Sequence, residues 1–365
     1  MKRAFLFLIL FIFTTVQQVY SAVWVNDLRE LFLNNKAVIL AVNPRTMGAN
    51  DKNGNDIIDF DLDEESGNFV NALSRLDTIK RQGINTLHIL PVTPVGTRKA
   101  LGTAGSLYAL NGFDSINPQL DSKKSKQSAY QELRNFIAQC HKRNIRVMLD
   151  LPSCGSYDLF LNNPQLFLTD ENQKPIVPSD WTDVRIFKTK NPDGSLNKDL
   201  LDYHKKFIDM IIALDADGLR ADVATMKPYE FWQELISYTR KQSPNFLFLA
   251  EASNKWNDKV CKQCDFTPYD KLLEAGFDGF YGGYVEYQNF KTVNDIASEV
   301  KLIQSISKKS KKAVIGSFAT HDILSPMLTG GKEYAAQILW LSAILPLNPY
   351  YVDGFQSLDT YIYDY

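Results

Sequence analysis

The sequence has almost no excess of charge of either sign, with 40 Lys and Arg against 42 Asp and Glu and a formal net charge of −2. This balance argues against electrostatic capture of nucleic acid or of an anionic membrane, and favours a neutral or small partner. Internal repeats and low-complexity linkers are also lacking. With 365 residues, 45% of them hydrophobic and 22% charged, the sequence is typical of a soluble globular protein with a sizeable core.

Cysteine is scarce, with four residues in all. Cys261 and Cys264 form a C-x-x-C pair, but a zinc site would need a second such pair and a redox motif a thioredoxin-like setting. The pair is therefore either a local disulfide or two free thiols. A link between Cys140 and Cys154 is possible and stays undetermined. Four cysteines are compatible with an oxidising compartment.

An apolar run near the N-terminus, residues 4–16, is short for a membrane span. It follows Lys2 and Arg3 and leads to small residues around Ser21, which is the pattern of a secretory signal peptide. We predict a signal peptide over residues 1–21 and a secreted or periplasmic protein with no stable membrane association after cleavage. The alternative is an uncleaved anchor.

Eight apolar segments of strand length recur along the chain. They cover residues 37–43, 86–92, 146–152, 218–224, 247–252, 276–282, 313–318 and 345–352. Segments with apolar residues every three to four positions lie between them, at 69–82, 129–142, 200–213, 229–241, 293–308 and 332–343. This alternation predicts a (β/α)₈ TIM barrel over residues 22–365, with chemistry at the carboxyl ends of the strands.

The connection after the third predicted strand is too long for one crossover helix, at about 65 residues. Residues 153–199 within it are rich in Pro, Asn and Asp and contain Trp181. We predict an irregular insertion subdomain over the mouth of the barrel.

The fourth predicted strand carries two charges where a buried strand should have none. Arg220 and Asp222 are two residues apart, so their side chains point to the same face. They form either a structural pair or the floor of an active site. Glu251 ends the next strand at the same height, and neighbouring strands lie about 4.8 Å apart. Two facing carboxyl groups at roughly 5 to 5.5 Å suit double-displacement cleavage of a glycosidic bond.

Three segments resemble motifs of the α-amylase family of glycoside hydrolases and transglycosidases, the glycoside hydrolase family 13 type. They are Gly218-Leu-Arg-Ala-Asp222, Phe248-Leu-Ala-Glu251-Ala and Ala319-Thr-His321-Asp322. The resemblance implies Asp222 as nucleophile, Glu251 as general acid/base and Asp322 as the third catalytic carboxylate. It also implies that Arg220 orients Asp222 and that His321 binds a sugar hydroxyl.

Two more residues are expected to bind substrate. Tyr108 resembles the tyrosine that stacks under the reacting sugar, although it could also be a core aromatic residue. Asp150 lies at the end of the third predicted strand. Many family members have histidine five residues after this aspartate, whereas the sequence here has Gly155.

The branch of the family that transfers maltosyl units onto glucans departs from the common pattern in a similar way after the third strand. Residues 112–120, 227–235 and 275–277 also resemble that branch.

A loop after the first predicted strand has oxygen-bearing side chains at every second position, which suits a hard cation such as calcium. It fails as an EF-hand, because Asp56 stands where glycine is needed and Leu62 where glutamate is needed. It resembles the calcium loop of oligosaccharide-cleaving family members, and the alternative is a solvated turn. The resemblance implies as ligands Asp51, Asn53, Asn55, the Ile57 carbonyl and Asp59.

The export signal favours a secreted retaining hydrolase that cleaves α-glucosidic bonds through a covalent glycosyl-aspartate and takes α-glucans or maltooligosaccharides. The alternatives are a maltosyltransferase-like transglycosidase and a non-catalytic carbohydrate-binding barrel. Residues 353–365 are too few for a last helix and a further domain, so a C-terminal β-domain is expected to be absent or truncated.

Overall fold

The computed structural model describes residues 25–55, 57–256 and 258–360, so the predicted signal peptide at 1–21 lies outside the described residues. The described strands are β1 (Ile39–Val42), β2 (Thr86–Ile89), β3 (Arg146–Leu151), β4 (Cys154–Ser156), β5 (Val184–Ile186), β6 (Gly218–Ala221), β7 (Leu247–Ala250), β8 (Gly279–Phe280), β9 (Ala313–Val314) and β10 (Tyr350–Val352). Eight of them form a parallel sheet in the order β10-β1-β2-β3-β6-β7-β8-β9.

The sheet curls until its two edges meet. Gly316 N donates to Asn348 O at 2.8 Å, and Asn348 N donates to Val314 O at 2.9 Å. The segment after β9 is thereby joined to the segment before β10. Each predicted strand segment contains one barrel strand, and the predicted TIM barrel is confirmed.

Helices lie around the sheet, at its lower end and in the insertion. They are α1 (Leu28–Leu33), α2 (Phe69–Ala72), α3 (Leu76–Arg81), α4 (Ala129–Lys142), α5 (Tyr157–Asn162), α6 (Lys198–Ala213), α7 (Tyr229–Gln242), α8 (Tyr269–Glu274), α9 (Val293–Ser310) and α10 (Pro326–Ile344). Short 3₁₀ helices occupy Phe60–Leu62, Leu73–Arg75, Pro118–Leu120, Pro164–Leu166, Ala224–Met226, Gly282–Asn289 and Phe355–Ser357. None of the helices in the described part of the chain combines the length and apolar character needed to cross a bilayer.

Local sequence signals explain where the long helices begin. Capping boxes start α4 at Ser128 and α9 at Thr292, and the Asn197 side chain caps α6. Residue Gly331, at φ 72°, breaks the helical path of α10. The single helix predicted over 69–82 is instead α2, a 3₁₀ turn and α3.

The bottom of the barrel is filled from inside by α1. Its Leu28 and Phe32 pack with Ile39, Met148 and other strand residues in one buried cluster. A Cβ at Gly279 would lie 2.2 Å from Phe32 Cε1, so glycine is required for this close approach. The plugged lower end leaves the carboxyl ends of the strands as the open face.

The predicted insertion at 153–199 contains an antiparallel pair of strands, β4 and β5, which was not predicted from the sequence. A Cβ at Gly155 in β4 would lie 2.7 Å from Phe167 Cζ and 2.9 Å from Phe187 Cζ. These two rings occupy the space that a histidine at position 155 would need.

The cysteine alternatives are resolved by the geometry. Cys261 and Cys264 form a disulfide, whereas Cys140 and Cys154 are buried free thiols. A link between Cys140 and Cys154 is therefore absent.

His141 makes stability pH-dependent at the lower end of the barrel. Burial lowers its pKa, but hydrogen bonds with Asp215 and Asp217 outweigh burial and raise the pKa to about 9. Since the unfolded pKa is about 6.5, the contribution is complete below pH 6.5 and is lost as pH rises through 9. We expect the free energy of unfolding to fall by about 1 to 2 kcal/mol over this window, measured by urea titration.

The matched control is His141→Gln, which cannot titrate and should lose this slope. A wild-type protein equally stable at pH 6.5 and 9 would contradict the assignment.

Candidate active site

Two carboxyl groups meet at the open end of the barrel, immediately after β6 and β7. The register pairs Ala221 with Ala250, so the next residues, Asp222 and Glu251, stand level. Arg220 Nη1 contacts Asp222 Oδ1 at 2.8 Å, and Arg220 Nη2 contacts Glu251 Oε2 at 2.8 Å. One guanidinium therefore holds both carboxyl groups in a fixed relation.

Backbone groups add to the restraint. Ser153 N donates to Asp222 Oδ2 at 2.9 Å, and Val223 N donates to Glu251 Oε2 at 2.7 Å. Both contacts of Glu251 are to Oε2, so Oε1 is the oxygen available to carry a proton. Val223 has φ 33°, a left-handed conformation that is costly for a β-branched residue and is typical of strained functional sites.

Asp150 lies beneath this pair and is fully buried. Both of its oxygens accept from Arg220 Nη1 at 3.0 Å, and Oδ2 also accepts from the Tyr108 hydroxyl at 2.8 Å. Burial would raise the pKa of Asp150, but Arg220 and His88 outweigh it and lower the pKa to about 2. Asp150 is thus a buried anion that holds Arg220, and its binding of substrate stays a prediction.

His88 on β2 was missed in the sequence, although a lone histidine in an apolar strand was a visible signal. Its Nε2 lies 3.1 Å from Asp150 Oδ2, and its Nδ1 lies 2.9 Å from the Tyr350 hydroxyl. Burial lowers the pKa of His88, so the ring is neutral. Because a carboxylate can only accept, Nε2 carries the hydrogen and Nδ1 accepts from Tyr350.

The order in which Asp222 and Glu251 are protonated follows from burial. Burial raises the pKa of Glu251 well above its usual value, Arg220 opposes this, and the charges of Asp222 and Asp322 add to it. Burial also raises the pKa of Asp222 more than Arg220 lowers it. The stronger rise at Glu251 makes it the group that keeps its proton while Asp222 is ionised.

The third predicted carboxylate and its neighbour follow β9. Asp322 is 42% exposed, and its Oδ1 lies 3.3 Å from His321 Nε2. The Tyr108 ring stacks on His321 with an interplanar angle of 4°, and the Tyr108 hydroxyl lies 2.7 Å from Nε2. Burial lowers the pKa of His321 to about 4, so the ring is neutral near pH 7.

A cavity of about 710 Å³ opens above these groups. Four of the predicted site residues line it, namely Tyr108, Asp222, Glu251 and Asp322. Arg220, His321 and Asp150 are buried and do not line it. Two tryptophans that were not predicted to belong together also line it, Trp181 from the insertion and Trp256 after β7.

The predicted calcium ligands lie apart from the cavity, in the loop that follows β1. Side-chain oxygens of this loop accept backbone N–H groups in successive turns. Asp51, Asn53 and Asn55 accept from Gly54 N, Asn55 N and Ile57 N at 2.7, 3.0 and 2.9 Å. Within the described ranges, no group of three or more His, Cys, Asp or Glu is placed to hold a metal. A cation here would depend on amide and carbonyl oxygens as well as Asp51 and Asp59, a donor set that fits calcium.

Glu64 organises this loop and was not predicted. Its carboxylate is fully buried and accepts from the backbone N–H groups of Lys52, Asn53 and Asp59 at 2.9, 3.2 and 2.7 Å. The loop backbone is thereby held in place by the protein's own groups.

Known structures share this fold. An α-amylase from Lactobacillus plantarum superposes with a TM-score of 0.72 and 23% identity, over 90% of this chain and 74% of that chain. A noncanonic maltogenic α-amylase from Thermotoga neapolitana superposes with a TM-score of 0.64 and 20% identity, over 89% of this chain and 70% of that chain. The fold is therefore the barrel found in these α-amylases.

Related sequences include maltosyltransferases and a cyclomaltodextrinase. An alpha-1,4-glucan:maltose-1-phosphate maltosyltransferase of Arcanobacterium haemolyticum is 25% identical over 296 residues, 75% of this chain and 39% of the relative. A cyclomaltodextrinase of a Bacillus species is 24% identical over 203 residues, 51% of this chain and 33% of the relative. No protein-family model matches the chain. The chain resembles the maltosyltransferase branch of the α-amylase family and spans about two fifths of the length of the first relative.

Proposed function

We propose that the chain is the catalytic barrel of a secreted or periplasmic retaining glycoside hydrolase that cleaves α-glucosidic bonds in α-glucans or maltooligosaccharides. The observation that carries the proposal is the shared guanidinium of Arg220, which fixes Asp222 and Glu251 side by side at the floor of one cavity. A nucleophile and a proton donor held together in this way suit double displacement.

In the first step, ionised Asp222 attacks the anomeric carbon and Glu251 gives its proton to the leaving oxygen, leaving a glycosyl-Asp222 ester. In the second step, Glu251 takes a proton from water, and the hydroxide oxygen displaces Asp222. Asp322, exposed at the cavity wall, would bind ring hydroxyls of the distorted sugar.

The charge of the cavity favours an uncharged substrate. Its lining contains seven carboxyl groups, Asp180, Asp183, Asp222, Glu251, Asp258, Glu286 and Asp322, against two lysines, Lys255 and Lys259. Lys255 is already paired with Glu299 at 2.9 Å. A phosphorylated donor such as the one in the maltosyltransferases' name would meet net repulsion here, whereas a neutral glucan would not.

A transglycosidase is the second candidate, and the similarity to maltosyltransferases favours it. It would use the same glycosyl-Asp222 intermediate with a sugar hydroxyl instead of water as acceptor. A non-catalytic carbohydrate-binding barrel is less well supported, because Asp222, Glu251 and Asp322 all line the cavity.

The test is product analysis after incubation with maltoheptaose, starch, pullulan and maltose 1-phosphate. Hydrolysis gives only shorter sugars, and proton NMR of the first products should show the α-anomer. Products longer than maltoheptaose, formed from maltoheptaose, would show that the protein is a transglycosidase and not a hydrolase. Release of phosphate from maltose 1-phosphate would contradict the neutral-donor argument, and a β-anomer would exclude double displacement.

We also propose that calcium binds the loop of Asp51, Asn53, Asn55, Ile57 and Asp59 and stabilises it. Adding calcium to chelated protein is expected to raise the melting temperature by about 5 °C, because a ligand that binds only the folded state stabilises it. Differential scanning calorimetry with calcium and with EDTA measures this.

Asp51→Ala should abolish the calcium response. Asp193→Ala is the matched control, because Asp193 also accepts a backbone N–H in an exposed turn, from Ser195 at 3.0 Å. An identical melting temperature with calcium and with EDTA in the wild type would rule out the site.

A further inference from the structure

A buried carboxylate outside the catalytic floor lies behind one wall of the cavity. Glu299 is on α9 and is only 3% exposed. On this helix, the buried residues are Glu299 and Ile303. A buried carboxylate is retained only when its partners compensate for its lost hydration, so its contacts indicate what it does.

Two of those contacts are to the segment that directly follows Glu251. Glu299 Oε1 accepts from Asn254 Nδ2 at 3.1 Å, and Glu299 Oε2 pairs with Lys255 Nζ at 2.9 Å. Lys255 and the next residue, Trp256, both line the cavity. Glu299 thus holds from behind the part of the cavity wall formed by Lys255 and Trp256.

The same carboxylate also meets a second wall. A Cβ at Gly283 would lie 2.2 Å from Glu299 Oε1, so the backbone of the 3₁₀ helix Gly282–Asn289 packs directly against this carboxylate. This helix continues to Val285, Glu286 and Gln288, which line the cavity beside Trp256. Glu299 therefore sits where the segment after β7 and the 3₁₀ helix meet.

We propose that Glu299 is a positioning residue that fixes the cavity wall of Lys255 and Trp256 and thereby governs recognition of the sugar units lying on that wall. The proposal rests on the proposed α-glucan activity for its kinetic consequence. Glu299 does not contact Asp222 or Glu251 in the described contacts, so it acts on the extended substrate and not on the bond that breaks. A purely structural ion pair would instead change stability alone.

The variant Glu299→Gln keeps the size of the side chain and an oxygen for Asn254, and it removes the charge that pairs with Lys255. On maltoheptaose we expect KM to rise about tenfold with kcat within about twofold. Lys255→Met removes the same pair from the other side. In the double variant the KM effect should be no larger than in the single variants, because both act through one contact.

Hydrogen exchange measured by mass spectrometry gives a readout that does not depend on activity. In Glu299→Gln, amides of residues 252–256 should exchange faster, while those of β6 and β7 stay protected. Lys301→Met, an exposed charge change on the same helix, is the control and should alter neither KM nor exchange.

Three results would overturn the proposal: additive KM effects in the double variant, a fall in kcat without a change in KM, or unchanged exchange in residues 252–256. If Glu299→Gln does not fold, Lys255→Met must show the same KM rise and faster exchange, or the proposal fails. A wild-type protein that is inactive on every α-glucan would contradict the proposed function. The hydrogen-exchange result would then by itself decide whether Glu299 fixes residues 252–256.

Discussion

Replacing Asp222 with Asn is expected to lower kcat on maltooligosaccharides by about 10⁴-fold or more. The amide cannot form the glycosyl ester, and it also loses the charge that Arg220 Nη1 contacts at 2.8 Å. Initial rates on maltoheptaose measure the effect, with circular dichroism to verify the fold. Asp199→Asn, the same chemical change on the outer surface of α6, is the control and should retain wild-type rates.

The role of Asp222 as nucleophile can also be observed directly. A fluorinated maltosyl fluoride, which slows the second step, should leave a sugar attached to the peptide that contains Asp222, detected by mass spectrometry. Residual activity of Asp222→Asn above about one percent of wild type, or a label on another residue, would exclude Asp222 as the nucleophile.

Replacing Glu251 with Gln is expected to lower kcat on maltoheptaose by about 10² to 10⁴-fold. The loss should be much smaller on an α-maltosyl fluoride, whose leaving group needs no proton for the first step. In the wild type, burial raises the pKa of Glu251 well above its usual value, so kcat/KM should fall as pH rises through that pKa. It should also fall at acid pH, where Asp222 becomes protonated.

The variant should lose the alkaline limb of the pH profile and keep the acid limb. Glu230→Gln, an exposed change on α7, controls for the loss of a surface charge and should leave both limbs in place. If Glu251→Gln kept the alkaline limb, or lost as much rate on the fluoride as on maltoheptaose, another group would be the proton donor.

The periodicity of apolar residues along the chain was sufficient to predict the barrel. A strand buried on both faces is continuously apolar and a covering helix repeats every 3.6 residues, and both are local properties of the sequence. The helix boundaries 129–142 and 229–241 agree with α4 and α7 to within a residue. The short pair β4 and β5 was missed, because neither strand has a pattern of its own outside the pairing.

The side chains of Arg220, Asp222 and Glu251 could also be anticipated, because alternation along a strand and the spacing of parallel strands bring them to one face. The roles of His88, Glu64 and Glu299 could not be read from the sequence, because each depends on partners in another segment of the chain. These partners are Asp150 for His88, Lys52 and Asn53 for Glu64, and Asn254 and Lys255 for Glu299.

The sequence by itself determined the alternation of strands and helices, the barrel, and which charges stand at the strand ends. Only the tertiary structure decided that Asp150 supports Arg220 from below, that two phenylalanine rings fill the space beside Gly155, and that Glu299 reaches the cavity wall. The physical reason is that secondary structure follows from neighbouring residues, whereas burial and the pKa of a carboxyl group depend on contacts between distant segments.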